Sequence, residues 1–590
     1  MRKAIFIFFA TVMMVLLWQC ANMRAPTGGP KDVYSPKVVE SDPPNYTTHF
    51  DKKKIELRFD EFVSVSDVVT EVFISPPLQS SPEIRTRGKS VLIMIDEELR
   101  DSTTYSIFFG KAIKDITEGN PIENYNYVFS TGAKIDSLSV IGEVIDAYTL
   151  QPREDVMVML YEDNNDSIPF DSMPYFVKPS YLTRTSEQGF FVMNNLRPGQ
   201  YRLFALSDEN LSATYDNAEE EIAFLDSLVS PDYLVKEDAD SLSADSLQAN
   251  LLDIMADSLM ANDSITPGDS LLPDIPLENV YSLYMFKETG DSIQRMLEAE
   301  KTRQGVLRFI FRYPAKNVKI TPLTTVKEDW MLSEWNKSFD TLRYYIMDGL
   351  MDTISLKVSI DTIVFDTVSW SLAEAGIPLR GKERDLMESL RFTTSRQSPF
   401  PHFKDYTLSS AYPIDSADFS RFLLVEGEDS ISANMEIYGD AQRMMRLVHE
   451  LKEGINYTLF FPDSVVTDVL GRSNDTTRLS FRTDAYEDYG RYTLHIHNQS
   501  PYDKLIIQLL DKDEKLLREA RIGGEGDILW DYLKPGKYLL KAIGDKNGNG
   551  KWDSGNYLAN IQPEPVVYHK EILEVREAWS FETDWYIEFK

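Results

Sequence analysis

The chain repeats itself at two different spacings. Leu533-Lys534-Pro535-Gly536-Lys537-Tyr538 reproduces Leu196-Arg197-Pro198-Gly199-Gln200-Tyr201 at an offset of 337 residues. Asn456–Phe461 and Leu479–Thr483 reproduce Thr104–Phe109 and Tyr127–Thr131 at an offset of 352. Two offsets imply two kinds of module, each present twice and in the same order. At 590 residues the chain is also too long for one core, since single cores stop growing at roughly 250–300 residues. It is therefore constrained to an array of small domains.

The repeated pieces have the period of strands. Apolar and polar residues alternate along Ile55–Phe62 and most strictly along Ile354–Ile360, where Ile354, Leu356, Val358 and Ile360 share one face. Pro198-Gly199 and Gly189 supply the backbone freedom of tight turns. The fold expected is all-β, a tandem of β-sandwich modules. One stretch breaks the pattern: Ala218–Glu278 holds 15 acidic residues and one basic residue, Lys236, with Asp-Ser-Leu recurring at Asp226, Asp240, Asp245, Asp257 and Asp269. Low aromatic content and charge of one sign predict a disordered acidic insertion over 217–279.

The single cysteine sets the compartment. Met1-Arg2-Lys3 precedes the apolar run Ala4–Trp18, which ends in Leu17-Trp18-Gln19-Cys20. That arrangement resembles a bacterial signal peptide (1–19) with a lipobox, which implies lipidation of Cys20 and a tether over 20–32. By analogy with enteric sorting, Ala21 after the cysteine points to the outer membrane. With no second cysteine there are no intramolecular disulfides, so burial alone holds the domains. The net charge of -33 disfavours nucleic acid, whose phosphates need Lys and Arg to neutralise them.

Three resemblances give the modules names. Pro26-Thr27-Gly28-Gly29-Pro30-Lys31-Asp32 is similar to the tether of Bacteroidetes lipoproteins that open with an SbsA-type bacterial Ig-like domain, and 33–132 resembles that domain. Residues 138–216, with Ser139–Val144 and Asn195–Leu206, resemble a transthyretin-like or carboxypeptidase-regulatory-like sandwich. The repeats then make 399–485 a divergent second Ig-like domain and 488–590 a second transthyretin-like one. Residues 280–398 are a β-rich domain, in which Trp330, Trp335 and Trp370 serve either as core or as a platform for sugars.

One constellation has ligand spacing. Asp545-x-Asn547-x-Asn549-Gly550-Lys551-x-Asp553 resembles the calcium loop of EF-hand-like proteins. The resemblance implies ligation by the side chains of Asp545, Asn547, Asn549 and Asp553 and by the Lys551 carbonyl. Position twelve is Asn556 in place of the usual Glu, and only two ligands are carboxylates, so Ca²⁺ would bind weakly, at ~10⁻⁴–10⁻³ M. The alternative is an Asn/Gly-rich turn with no ion. In the twin, Asp208, Asn210 and Asp216 persist while Ser212 and Ala213 replace Asn549 and Gly550, and the bend is expected to suffer.

Catalytic signatures are thin. Asp60 and Glu61 are strand neighbours and point to opposite faces. His495 and His497 share a strand face but show no third ligand in sequence. The expected function is a non-catalytic outer-membrane lipoprotein acting as a binding, adhesion or scaffolding array toward an envelope protein or glycan. The alternative is a carbohydrate-active enzyme or glycan-binding accessory lipoprotein.

Overall fold

The computed structural model describes residues 32–589 except 123–124, 164–168, 170–171, 211, 218, 234–279, 289–293, 304, 348–352, 361–362, 373–388 and 395–396. Cys20 and most of the acidic insertion lie outside the described residues. The chain forms two compact units. One takes in the residues up to Glu288 together with Asp553–Glu564; the other takes in Thr289–Trp552 and Pro565–Lys590. The described residues are nearly all strand and turn, as the patterning predicts.

The first unit opens with an Ig-like sandwich. One sheet runs Val38–Asp42, Lys54–Phe59, Ser90–Met94, Glu83–Arg87; the facing sheet runs Phe73–Ser75, Thr104–Phe108, Asn126–Ser130. Lys54–Phe59 alternates as its sequence requires, placing Ile55, Leu57 and Phe59 in the core. Asp115, 2% exposed, closes the turn after Ile113–Asp115 by accepting the backbone N–H groups of Glu118, Gly119 and Asn120 at 2.6–3.0 Å.

A second β-sandwich follows, in the stretch whose sequence resembles a transthyretin-like domain, and its boundaries differ from the sequence expectation of 138–216. Glu221–Phe224 lies within the stretch assigned to the acidic insertion, yet it pairs with Tyr201–Leu206, burying Ile222 and Ala223. Val280–Lys287, assigned by sequence to the next domain, pairs in parallel with Leu138–Asp146. Residues 234–279 therefore interrupt one module instead of joining two. Polarity alone marks the stretch 217–279, but four of its first residues are a core strand because their partners are already in place.

The second unit contains three sandwiches. Residues 280–398 were expected as one β-rich domain; the observed one runs from Met296 to Ser371, with sheets Met296–Arg303, Val306–Phe311, Thr341–Ile346, Met331–Trp335 and Val318–Pro322, Thr353–Ile360, Ile363–Ser371. Ile354, Leu356 and Val358 are fully buried. Trp330, Trp335 and Trp370 all pack on this core, against Tyr344, Phe311 and Phe309, which favours the core role. The second Ig-like module keeps the strand order of the first but adds Asp429–Ser432 at the edge of one sheet, and it begins at Phe392–Thr394 rather than at 399.

The final module repeats the strand pairings of the earlier sandwich with two differences: its strands form two separate sheets where the first copy joins Glu221–Phe224 to Val280–Lys287 in one, and Leu573–Val575 adds a strand beside Gly536–Gly544. Gly490–Asn498 pairs antiparallel with Gly526–Leu533 and parallel with Ser580–Ile587, as Leu138–Asp146 does with Phe190–Leu196 and Val280–Lys287. Register makes the equivalence specific. In the first copy Leu203, Leu160 and Tyr181 lie side by side across three strands; in the second, Leu540, Leu509 and Arg518 do. Arg518 thus stands where the first copy has Tyr181.

Candidate functional site

The Asp545 turn follows the strand Gly536–Gly544. Asp545 is 6% exposed, and its carboxylate accepts the N–H of Asn549 at 3.1 Å and of Gly550 at 2.9 Å. Asn547 Oδ1 accepts from Asn549 N at 2.9 Å, and Asn549 Oδ1 from Lys551 N at 2.8 Å. Gly548 and Gly550 are both left-handed, at φ 72° and 76°. The structure thus brings Asp545, Asn547, Asn549 and Lys551 into one turn. Asp553 falls in the first unit, where its N–H donates to the side-chain carboxylate of the buried Glu564 at 3.0 Å and its carbonyl accepts the Glu564 N–H at 3.0 Å.

The oxygen set suits calcium in kind. Two cations count against strong binding: a Cβ on Gly550 would lie 2.5 Å from the Arg521 guanidinium carbon, and one on Gly548 would strike the Lys504 ammonium. The twin corrects an expectation. Asp208 accepts Ser212 N at 3.1 Å and Ala213 N at 2.7 Å, and Asn210 Oδ1 accepts Ser212 N at 2.9 Å, the same pattern residue for residue. Ala213 adopts φ 55°. The bend therefore forms without its glycine, because two carboxylate-bound amides hold it closed.

The histidines are largely tied to carboxylates. His495 Nδ1 lies 2.7 Å from Asp527 Oδ1, and His497 Nε2 lies 2.7 Å from Asp584 Oδ1. The Asp527 hydrogen bond holds the His495 imidazole above its ordinary range. Strand pairing supplies these carboxylates, which sequence spacing did not reveal. Among the described residues, no three His, Cys, Asp or Glu side chains are arranged to hold a metal.

The feature that sequence reasoning missed sits where each transthyretin-like module meets its Ig-like partner. A bulge opposite Gly490–Tyr492 turns Tyr532 outward at φ 55°, and its equivalent, Asn195, adopts φ 61°. In the first copy the joint is polar. Asn195 Nδ2 donates to Ser106 Oγ at 3.0 Å, and Arg197 donates to Thr103 Oγ1 at 3.1 Å and lies 3.6 Å from Asp136. In the second copy it is aromatic. Tyr532 stacks on Phe403 with ring centroids 3.9 Å apart and planes inclined by 24°, and Tyr489 meets Phe403 edge-on at 5.5 Å. Burial and a hydrogen bond to Asp484 hold the Tyr489 phenol above its ordinary range.

Beside this stack lies a groove of about 320 Å³ whose lining includes Phe403, Tyr489, Tyr532, Lys404, Arg518 and Lys534. Among the described residues no Asp or Glu lines it. The doubled chain spacing was a signal for the module but not for the groove, because lining residues come from four separate stretches.

Comparison with known proteins supports the module assignment at one end. Residues 32–131 match the bacterial Ig-like domain family. No curated protein matches the chain. Solved structures with some likeness include native alpha-2-macroglobulin domains MG0-NIE-MG1 from Escherichia coli (10% identity, 33% of this chain and 99% of that one, TM-score 0.15). They also include domains 1–6 of the surface layer protein SbsC (10%, 91% and 67%, TM-score 0.12) and the major pilin BcpA of Bacillus cereus (10%, 76% and 99%, TM-score 0.12). The chain is a nearly all-β array of sandwich modules whose first domain is a bacterial Ig-like domain.

Proposed function

We propose that this protein is a non-catalytic binding or scaffolding array of the cell envelope, carried on the outer membrane by a lipid on Cys20. The observation that carries this reading is the duplication of a whole Ig-like plus transthyretin-like pair, each module with its own core. Duplicating a complete pair extends the surface available to a partner, whereas a catalytic centre has no need of a second scaffold. The Ig-like match over 32–131 fits a structural or binding role. Calcium enters the reading only as a weak ligand of the Asp545 turn, at ~10⁻⁴–10⁻³ M.

Membrane fractionation tests the proposal. Wild-type chain should partition with the outer membrane, carry a diacylglycerol mass on Cys20, and bring a partner through mild-detergent purification. Cys20→Ser should be released from the membrane. A Cys20→Ser chain that stays with the membrane would sink the anchor, and turnover of a glycan by the purified chain would sink the non-catalytic assignment.

A further inference from the structure

We infer that the groove beside the Phe403–Tyr532 stack binds a carboxylate-bearing glycan, an inference that rests on the binding role proposed above and names its ligand. Charge is the first argument. In a chain with net charge -33, three cations, Lys404, Arg518 and Lys534, line one groove, and none is paired with a carboxylate among the described residues. Unpaired cations gathered in a protein this acidic are complementary to an anion, and two lysines with one arginine suit carboxylates spaced along a chain.

Aromatic walls select what carries that charge. The C–H bonds on one face of a pyranose ring are weakly positive and are drawn to the negative face of an aromatic ring. Phe403, 36% exposed, and the half-buried Tyr532 supply such rings beside the cations. A groove of about 320 Å³ falls at the small end of ligand sites, roughly 300–1,000 Å³.

The first copy shows that the groove is particular to the second. There Tyr181 occupies the place of Arg518, is buried, and packs edge-on against Tyr201 at 5.9 Å. In the second copy Tyr538 corresponds to Tyr201, and each hydroxyl donates to the carbonyl four residues back, Tyr538 to that of Lys534 and Tyr201 to that of Arg197. The supporting tyrosine is retained, its neighbour has become an exposed arginine, and the bulge residue has changed from Asn195 to Tyr532. Tyr532 holds a left-handed backbone that a bulky residue rarely adopts, and such strain clusters at ligand clamps.

Titration calorimetry on the full lipidated chain in detergent tests the assignment, with hexagalacturonate, a neutral galactose hexamer and hexaglutamate as probes. Hexagalacturonate is expected to bind at least tenfold more tightly than either other probe. Arg518→Gln and Phe403→Ala should each weaken it at least fivefold, and the exposed distant variant Lys512→Gln should leave it unchanged. Arg518→Tyr, which restores the first copy's residue, should abolish binding while melting like wild type. Absence of hexagalacturonate binding, or hexaglutamate binding as tight and indifferent to Phe403→Ala, overturns the assignment. Membrane fractionation of Cys20→Ser does not involve the groove, so a failed titration with intact fractionation removes the ligand and leaves the envelope role standing.

Discussion

Asn195 and Tyr532 occupy the same bulge in the two transthyretin-like modules, and both hold a left-handed backbone, at φ 61° and 55°. Asparagine tolerates that conformation because its short amide can bond locally; a tyrosine does not, and is kept there by what its ring touches. The bulge belongs to the module, and the side chain placed on it decides what kind of joint the module makes.

The Phe403–Tyr532 stack should therefore be measurable as a coupling. A double-mutant cycle of Phe403→Ala and Tyr532→Ala, read by chemical denaturation of the full chain, should return an interaction of about 0.5–1.5 kcal/mol. Tyr532→Asn should recover part of the single-variant loss by relieving the backbone. Additive single variants would mean that the rings only lie near one another.

Tyr557 is fully buried against Phe204 and Phe224 at 5.7 and 5.2 Å, within the first unit. Tyr557→Ala should destabilise that unit by about 3–5 kcal/mol, the usual cost of truncating a buried aromatic. Calorimetry should show one unfolding transition move to lower temperature while the other stays, and chymotrypsin should cut faster at the exposed Leu558. An unchanged thermogram would mean that Asp553–Glu564 contributes no stability to the unit.

Asp115 makes the first Ig-like module acid-sensitive. The Glu118 N–H, followed by those of Gly119 and Asn120, holds its carboxyl below the ordinary value against the opposing effect of burial. A depressed folded-state pKa stabilises the fold above the unfolded value, ~3.9, and that stabilisation is lost as pH falls through the folded value. Melting temperature should thus fall more steeply below about pH 4 in wild type than in Asp115→Asn. Parallel acid profiles would refute the role.

The Asp545 turn gives two separable outcomes. Asp545→Ala strands two backbone N–H groups in a nearly buried site and should cost about 1–3 kcal/mol with no calcium present. If calcium binds with a Kd near ~10⁻³ M, then ~5 mM Ca²⁺ adds about 1 kcal/mol to wild type and nothing to Asp545→Ala. A wild-type melting temperature that ignores calcium would leave the turn as architecture alone.

The modular plan was legible because it rests on local patterns. Alternation along Ile354–Ile360 implied a half-buried strand, and the spacing from Leu196–Tyr201 to Leu533–Tyr538 implied a duplicated sandwich; neither depends on distant residues. The Asp545 turn was legible for the same reason, since its hydrogen bonds span at most five residues. Whether Gly550 was needed for the bend was not legible, because the carboxylate's grip on two amides outweighs the glycine's conformational freedom, as Ala213 shows.

Tertiary structure decided the rest. Val280–Lys287 closes the module before the acidic stretch because a parallel partner, Leu138–Asp146, was waiting some 140 residues earlier, and no local pattern carries that pairing. Asp527 and Asp584 reach His495 and His497 only through strand register. The same register, running across three strands, puts Arg518 in the place of Tyr181 and so opens beside Tyr532 and Phe403 a cationic, aromatic groove. Sequence alone sets which residues face inward along each strand, since that follows from a period of two. Which strands become neighbours, and hence which outward-facing side chains meet, is settled by long-range pairing that only the folded chain contains.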